Sequence, residues 1–477
     1  MNSADRARHR WLALIVLCLG ELMIVLDSTI VNVALPSIRS DLGFTETSLV
    51  WVVNAYMLTF GGCLLLGGRL GDLYGHRRVF RAGLAFFTLA SLVCGLAGSQ
   101  GVLVAARAIQ GLGGAVVSAV ALSLIMNLFT ETGERTRAMG VYGFVCAGGG
   151  SLGVLLGGLL TDGLGWHWIF LVNLPIGVAV YVASRALLPT SRAAGRGERL
   201  DVAGAVTVTL SLMLAVYGVV DGNEAGWGSM QTLGLLGVAA LLMALFLAIE
   251  SRSAHPLVPL SLFRLRNITV SNLCAVLWSA GMFAWFFMSA LYLQQVLGYT
   301  PMQVGLAFLP ANLLMAALSL GWSAMLVMRW GIRPPLAAGL TLATLGLLLF
   351  ARAPLNGGFL LDVLPGMLLL GLGAGIAFNP MLMAAMNDVA PADAGLASGL
   401  VNTAFVLGGA LGLAVLASLA SARTAALAEQ GRSAIAALNG GFQLAFGVGA
   451  LFAAAAVLCG ALMRAELKTG DKPLATP

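Results

Sequence analysis

Two carboxyls and one guanidinium stand where ionisable groups are costly: Glu21, Asp27 and Arg107. Of 26 basic and 20 acidic residues, these three lie within the bodies of long apolar stretches, and the rest gather in short connections. An ionisable group in hydrocarbon costs at least about 2.5–3.5 kcal/mol and by default marks an ion or proton pathway. A carboxyl can bind and release a proton. A guanidinium cannot under physiological conditions, so Arg107 can only bias a neighbour and orient water around it. Glu21 and Asp27 are six residues apart, roughly 9 Å along a helix axis and about 240° around it, which makes them two separate groups. Asp27 is the expected proton carrier: loss of water favours its neutral acid, and an adjacent guanidinium favours its carboxylate. For Glu21 three roles stay open: a second proton site, a contact for a cationic substrate, or a structural hydrogen-bond partner. Arg107 has a rival role as a snorkelling side chain, being only about six residues into its helix.

The elements that must position these groups are membrane helices. The 477 residues are 59% hydrophobic and 10% charged, with a mean hydropathy of +0.94. A soluble domain carries about 25% charge. Without water in the bilayer, backbone groups must pair internally, and continuous rather than alternating apolar runs of roughly 20 residues mean helices. Fourteen spans are expected, at 11–33, 49–69, 80–98, 102–126, 138–161, 168–188, 202–221, 230–250, 268–294, 302–328, 334–352, 359–382, 395–420 and 440–463. With a cytoplasmic N-terminus, 21 basic residues fall inside and four outside (Arg39, Arg352, Arg423, Arg432), so both termini are expected in the cytoplasm. The net charge of +6 then serves topology and anionic lipid headgroups, not nucleic acid. Asp27 stands where a signal-peptide cleavage region would be small and neutral, so the first span is expected to be retained. All six cysteines fall in expected spans and read as small apolar side chains.

The longest inside connections, 189–200 and 251–267, bracket spans 7 and 8. They divide the chain into a six-helix bundle (1–188), an inserted helix pair with flanking linkers (189–267) and a second six-helix bundle with a short tail (268–477). Glycines four apart on one face let helix backbones approach closely. Gly149, Gly153 and Gly157 in span 5 are so placed, with Gly158 beside them, and Gly111 and Gly114 in span 4 are three apart; all six are candidate helix-packing glycines. Span 13, fifth of its own block, is similarly glycine-rich, as expected of duplicated halves around a central site.

Residues 68–78 read Gly-Arg-Leu-Gly-Asp-Leu-Tyr-Gly-His-Arg-Arg. Gly68, Leu70, Asp72, Gly75 and Arg77 match the signature loop of the major facilitator superfamily, which the sequence resembles here. The resemblance implies that this loop, with Arg78, forms a cytoplasmic gate latching two halves together. Arg107, Gln110, Gly111 and Gly114 share one stripe of span 4 and are similar to a second family motif, whose Arg is implicated in proton transfer. Residues 26–36, Leu-Asp-Ser-Thr-Ile-Val-Asn-Val-Ala-Leu-Pro, look like the start of the fourteen-span drug:proton antiporter branch. Span 5 departs from the antiporter motif, with Val154 where a proline usually stands.

What the resemblance implies is an all-α major facilitator fold and proton-coupled export of small hydrophobic or amphipathic compounds by alternating access. The interior of the second block carries no acid, which favours neutral or monocationic substrates. A proton-coupled importer and a non-transporting membrane sensor are the alternatives. Asn54, Tyr56, Gln110, Asn173 and Asn402 are candidate cavity or substrate residues; helix–helix hydrogen bonding explains such polar groups about as well. Trp278, Phe283, Trp285, Phe286, Phe287 and Tyr292 could stack on flat compounds, with a lipid-facing role preferred. No phosphate-binding Gly-Lys-Ser/Thr loop exists and the four histidines are scattered, so no cofactor or metal is expected and a proton gradient is the energy source. The expected partners are a small-molecule substrate, protons and the bilayer, with the chain a monomer.

Overall fold

Capping groups set many of the helix starts. Ser99, Asp201, Ser229 and Ser433 each accept from the backbone N–H three residues on, and Thr300 forms a capping box with Gln303 ahead of Pro301. The computed structural model describes residues 3–129, 131–189, 201–253, 256–387, 389 and 394–463. Among these are sixteen α-helices and no strand. They are α1 (Ser3–Leu42), α2 (Val50–Tyr74), α3 (His76–Gly95), α4 (Gln100–Leu128), α5 (Thr132–Leu164), α6 (Trp168–Leu171), α7 (Asn173–Leu187) and α8 (Val202–Ala225). The chain continues with α9 (Met230–Arg252), α10 (Arg266–Leu291), α11 (Pro301–Ala317), α12 (Ser323–Trp330), α13 (Arg333–Phe350), α14 (Leu364–Asn387), α15 (Ala394–Glu429) and α16 (Ala434–Gly460). Wide π turns occupy Tyr292–Val296, Leu318–Trp322 and Phe359–Val363.

Among the described residues, twelve helical segments are long and apolar enough to cross a membrane. The two further stretches expected to span fall on α5 and on α11, whose regular part ends after 17 residues and passes through a π turn into α12. Three acids besides Glu21 and Asp27 belong to the expected spans; the first, Asp221 of α8, accepts from Gln231 Nε2 at 3.2 Å. Glu250 ends α9 and is buried, and Asp362 accepts from Gly358 N in the turn leading into α14.

Side-chain-free surfaces fix the packing around α1. Gly149, Gly153 and Gly157 of α5 lie against Leu22 and Val25, Thr29 and Leu26, and Ile30 of α1 in turn. On α4, Gly111 touches the Tyr56 carbonyl of α2 and Gly113 meets Gly83 and Phe87 of α3. Val154 is buried, and α5 passes through it as one unbroken helix. Helices α8 and α9 pair with each other, and α8 also packs on α2 and α15.

The near face of the bundle holds the start of α1 and the α2–α3 turn; the far face holds the α1–α2 connection. Across the far face, Gln294 Nε2 donates to Val33 O (2.9 Å), and Arg39 Nη1 bridges Glu46 Oε1 (3.1 Å) and Gln295 Oε1 (3.4 Å). Nearby, Gly158 of α5 rests on the backbone of Pro301 and Met302, and Gly305 of α11 rests on Val154 O.

Most of the aromatic group on and just after α10 packs inside the protein rather than on its surface. Trp278, Trp285, Phe287 and Tyr292 are buried. Trp278 meets Phe378 and Phe405, and Phe286 stacks on Phe308 at 5.6 Å. Acyl chains are as apolar as these rings, so area alone gives no preference; close packing and ring–ring contacts within the protein supply it.

A Cβ on Gly153 meets Thr29 Oγ1 and Leu26 O, whereas one on Gly163 meets nothing within 4 Å. Gly153→Ala is expected to cost about 1–3 kcal/mol, as overpacked positions do. Gly163→Ala should leave the melting temperature in detergent unchanged, and thermal unfolding of both variants checks the contrast.

Candidate functional site: a buried ion pair

Asp27 sits midway along α1 with no exposed surface, and every polar group facing it is a donor. Arg107 Nη1 of α4 reaches Oδ2 at 2.5 Å. Gln110 Nε2, one turn further on the same helix, donates to Oδ1 at 2.7 Å, and Asn173 Nδ2 at the start of α7 donates to Oδ1 at 2.9 Å. The spacing of Arg107 and Gln110 puts both on one face of α4, so a single helix supplies two of the three donors. Ser91 of α3 closes the ring: its hydroxyl accepts from Gln110 (3.1 Å) and Asn173 (3.0 Å) and donates to Phe170 O (2.9 Å).

Arg107 is as enclosed as its partner, at 1% exposure, which rules out the snorkelling role. Its Nε donates to Val52 O (2.9 Å) and its Nη1 also to Gln110 Oε1 (2.7 Å). The guanidinium lies 4.3 Å from the centre of the Tyr56 ring and 5.6 Å from that of Phe170. The cation is thus held by a carboxylate, an amide, a carbonyl and two π faces at once. Two ions leave water here only because their remaining hydrogen-bonding capacity is met.

Glu21 stands apart, nearer the near face. Ser118 Oγ of α4 donates to its Oε1 at 3.0 Å, and the Tyr142 hydroxyl of α5 approaches the same carboxyl. Its Oε2 is buried without a hydrogen-bond partner of normal geometry.

The other expected site residues divide. Gln110, Asn173 and Tyr56 join the ion pair. Asn54 instead donates to Ala410 O at 2.9 Å, tying α2 to α15, and Asn402 is half-buried on α15. In the α2–α3 turn, Gly75 adopts φ 90° and closes α2 with its N–H on Gly71 O, a backbone that only glycine takes easily. Gly68 is half-buried beside Ala119. Arg77 bonds the Arg185 carbonyl of α7, and Arg78 is exposed. Arg81 donates to Tyr181 Oη of α7 at 2.8 Å. Arg77 of the turn and Arg81 of α3 therefore both hold α7, within the first block; the Asp72 side chain lies outside the described residues. Ser91, Ser118 and Tyr142 carry no mark in the sequence. A lone hydroxyl in an apolar span gives no periodic signal.

Comparison with known proteins identifies the family. Residues 17–413 match the model of the Major Facilitator Superfamily, and the chain belongs to that family. It is 40% identical over 472 residues to the puromycin resistance protein pur8 of Streptomyces alboniger, covering 97% of this chain and 93% of the relative. It is 42% identical over 416 residues to the cephamycin export protein CmcT of Amycolatopsis lactamdurans, covering 86% and 85%. The multidrug resistance protein Stp of Mycobacterium tuberculosis is 38% identical over 424 residues, covering 88% and 78%. Among solved structures, the nucleoside transporter NupG superposes with a TM-score of 0.68 at 12% identity, covering 95% of this chain and all of that one, a likeness of fold. The protein is a multi-pass membrane transporter of small molecules and not an enzyme.

Arg107→Ala leaves a buried carboxylate without its cation and is expected to destabilise the fold by about 3–5 kcal/mol. Adding Asp27→Asn should recover part of that loss, because Gln110 and Asn173 still have a neutral partner. A double-mutant cycle on thermal unfolding measures the coupling.

Proposed function

We propose that this chain is a proton-coupled antiporter that exports small hydrophobic or amphipathic compounds across the cytoplasmic membrane by alternating access. The observation that carries this reading is the sealed Asp27–Arg107 pair at the meeting of α1, α3, α4 and α7. The three relatives described above carry names of export or resistance, which supports the outward direction.

The network has the properties a proton switch needs. When Asp27 takes a proton, it becomes a neutral acid and its attraction for Arg107 falls. The guanidinium is not orphaned, since Val52 O, Gln110 Oε1 and the Tyr56 ring remain as partners. Gln110 and Asn173 likewise keep Ser91 Oγ as acceptor. Both protonation states are therefore satisfied, with different pulls on α1, α4 and α7. In the cycle, a proton enters Asp27 from outside as substrate leaves, and passes to the cytoplasm as the carrier resets. Glu21, with one unpartnered oxygen, is a second proton site or a contact for a cationic group of the substrate.

We read fourteen spans, α5 and the α11–α12 segment crossing beside the twelve others, in a 6 + 2 + 6 arrangement. Both termini and the near face lie in the cytoplasm, as the Lys/Arg bias requires. The Gln294–Val33 and Arg39–Gln295 contacts then form a clasp on the outer face. The energy source is the proton gradient, and the carrier works as a monomer.

Asp27→Asn removes the titrating group while leaving a hydrogen-bonding side chain of the same shape. Gradient-driven dye or antibiotic efflux in inverted vesicles is expected to fall to the level of empty membranes, with protein abundance retained. Efflux at wild-type rate, or proton-dependent uptake of a solute without efflux, overturns the reading.

A further inference from the structure

A carboxyl pair, unrelated to Asp27, sits on the near face at the open end of the α8–α9 hairpin. Asp201 caps α8, its Oδ1 accepting from Gly204 N at 2.7 Å. Glu250, in the last turn of α9, is 3% exposed, and its Oε2 accepts from Val258 N at 3.0 Å in the segment leading to α10. Each carboxyl thus spends one oxygen on a backbone donor. The other oxygen of each, Asp201 Oδ2 and Glu250 Oε1, is buried and has no hydrogen-bond partner. These two orphans face one place: a methyl carbon added at Gly204 would lie 2.8 Å from Oδ2 and 2.7 Å from Oε1.

Among the described residues no cation is set against either group. Arg252 is exposed beside Leu245, Ala248 and Ile249, and Arg264 is exposed on the following 3₁₀ turn. The charged group acting on Glu250 is Asp201 itself. Two carboxylate oxygens that converge on one place without a hydrogen-bond donor repel, and such a pair is stabilised when it holds a single proton.

We propose that Asp201 and Glu250 bind one proton between Oδ2 and Oε1, forming an acid–carboxylate pair that pins the α8–α9 hairpin to the segment entering α10. The site is a proton-binding centre separate from the transport pair, and it does not depend on the direction of transport. No bond other than O–H is made or broken; one carboxyl donates and the other accepts.

The test uses the full chain in lipid nanodiscs, with infrared difference spectra and thermal unfolding followed from mildly acidic to alkaline pH. Asp201→Asn keeps the oxygen that caps Gly204, and Glu250→Gln keeps the oxygen that accepts from Val258. Each variant should lose the same single protonated-carboxyl band present in the wild type. The wild type should lose melting temperature as pH rises above the ordinary carboxyl range and strips the shared proton, and Glu250→Gln should be flat over that range. Asp27→Asn should leave the band in place. The proposal is overturned if the band survives in both amide variants. It is equally overturned if wild-type stability follows added sodium or magnesium instead of pH, which would mean a bound metal cation. Should either variant fail to fold, the wild-type pH profile and the other variant decide.

Discussion

Moving a carboxylate and a guanidinium into a region without water is tolerable only if neither keeps an unmet demand, and that condition governs the first half of this molecule. Asp27 needs three donors and receives them from α4 and α7. Arg107 needs acceptors beyond its counter-ion and finds them on α2 and on its own helix. Four helices are thereby held at fixed distances by short polar side chains. A shift of any one by an ångström opens a gap that hydrocarbon cannot fill.

Short side chains reach only if backbones stand close, and the glycines supply that closeness. The stripe on α5 lets it lie along α1 beside the segment bearing Asp27, while Gly111 and Gly113 seat α4 against α2 and α3. Thr29, opposite Gly153, turns its hydroxyl back onto Val25 O and Leu26 O, so the narrow interface carries no orphaned polar atom at that point. Packing and electrostatics are not separable here, since the ion pair needs the glycines and the glycines alone would gather no specific partner.

Much of this was legible in the chain. Charge inside apolar sequence marks Asp27, Glu21 and Arg107, and helical spacing alone puts Gln110 beside Arg107. The fold class follows from length and continuity of the apolar runs. What stayed hidden has a common cause: pairing between distant segments leaves no local period. Asn173 and Ser91 join the site from α7 and α3 through contacts spanning 146 and 82 positions. Asn54, of the same type as Asn173, instead bonds a carbonyl 356 positions away. The aromatic side chains of α10 give identical sequence signals whether they meet lipid or one another. Glu250 lay at the edge of a span, where charge is ordinary, and only its burial distinguishes it.

The reciprocal contact of α5 and α11 has a mechanical meaning. Gly158 rests on the main chain of Pro301, and Gly305 rests on that of Val154. At these two points main chain meets main chain, with no projecting knob to climb out of a socket. Such a surface resists separation through its close dispersion contact, yet offers little corrugation to sliding or tilting. It behaves as a bearing, a place where α5 and α11 can slide past each other without first unpacking a core.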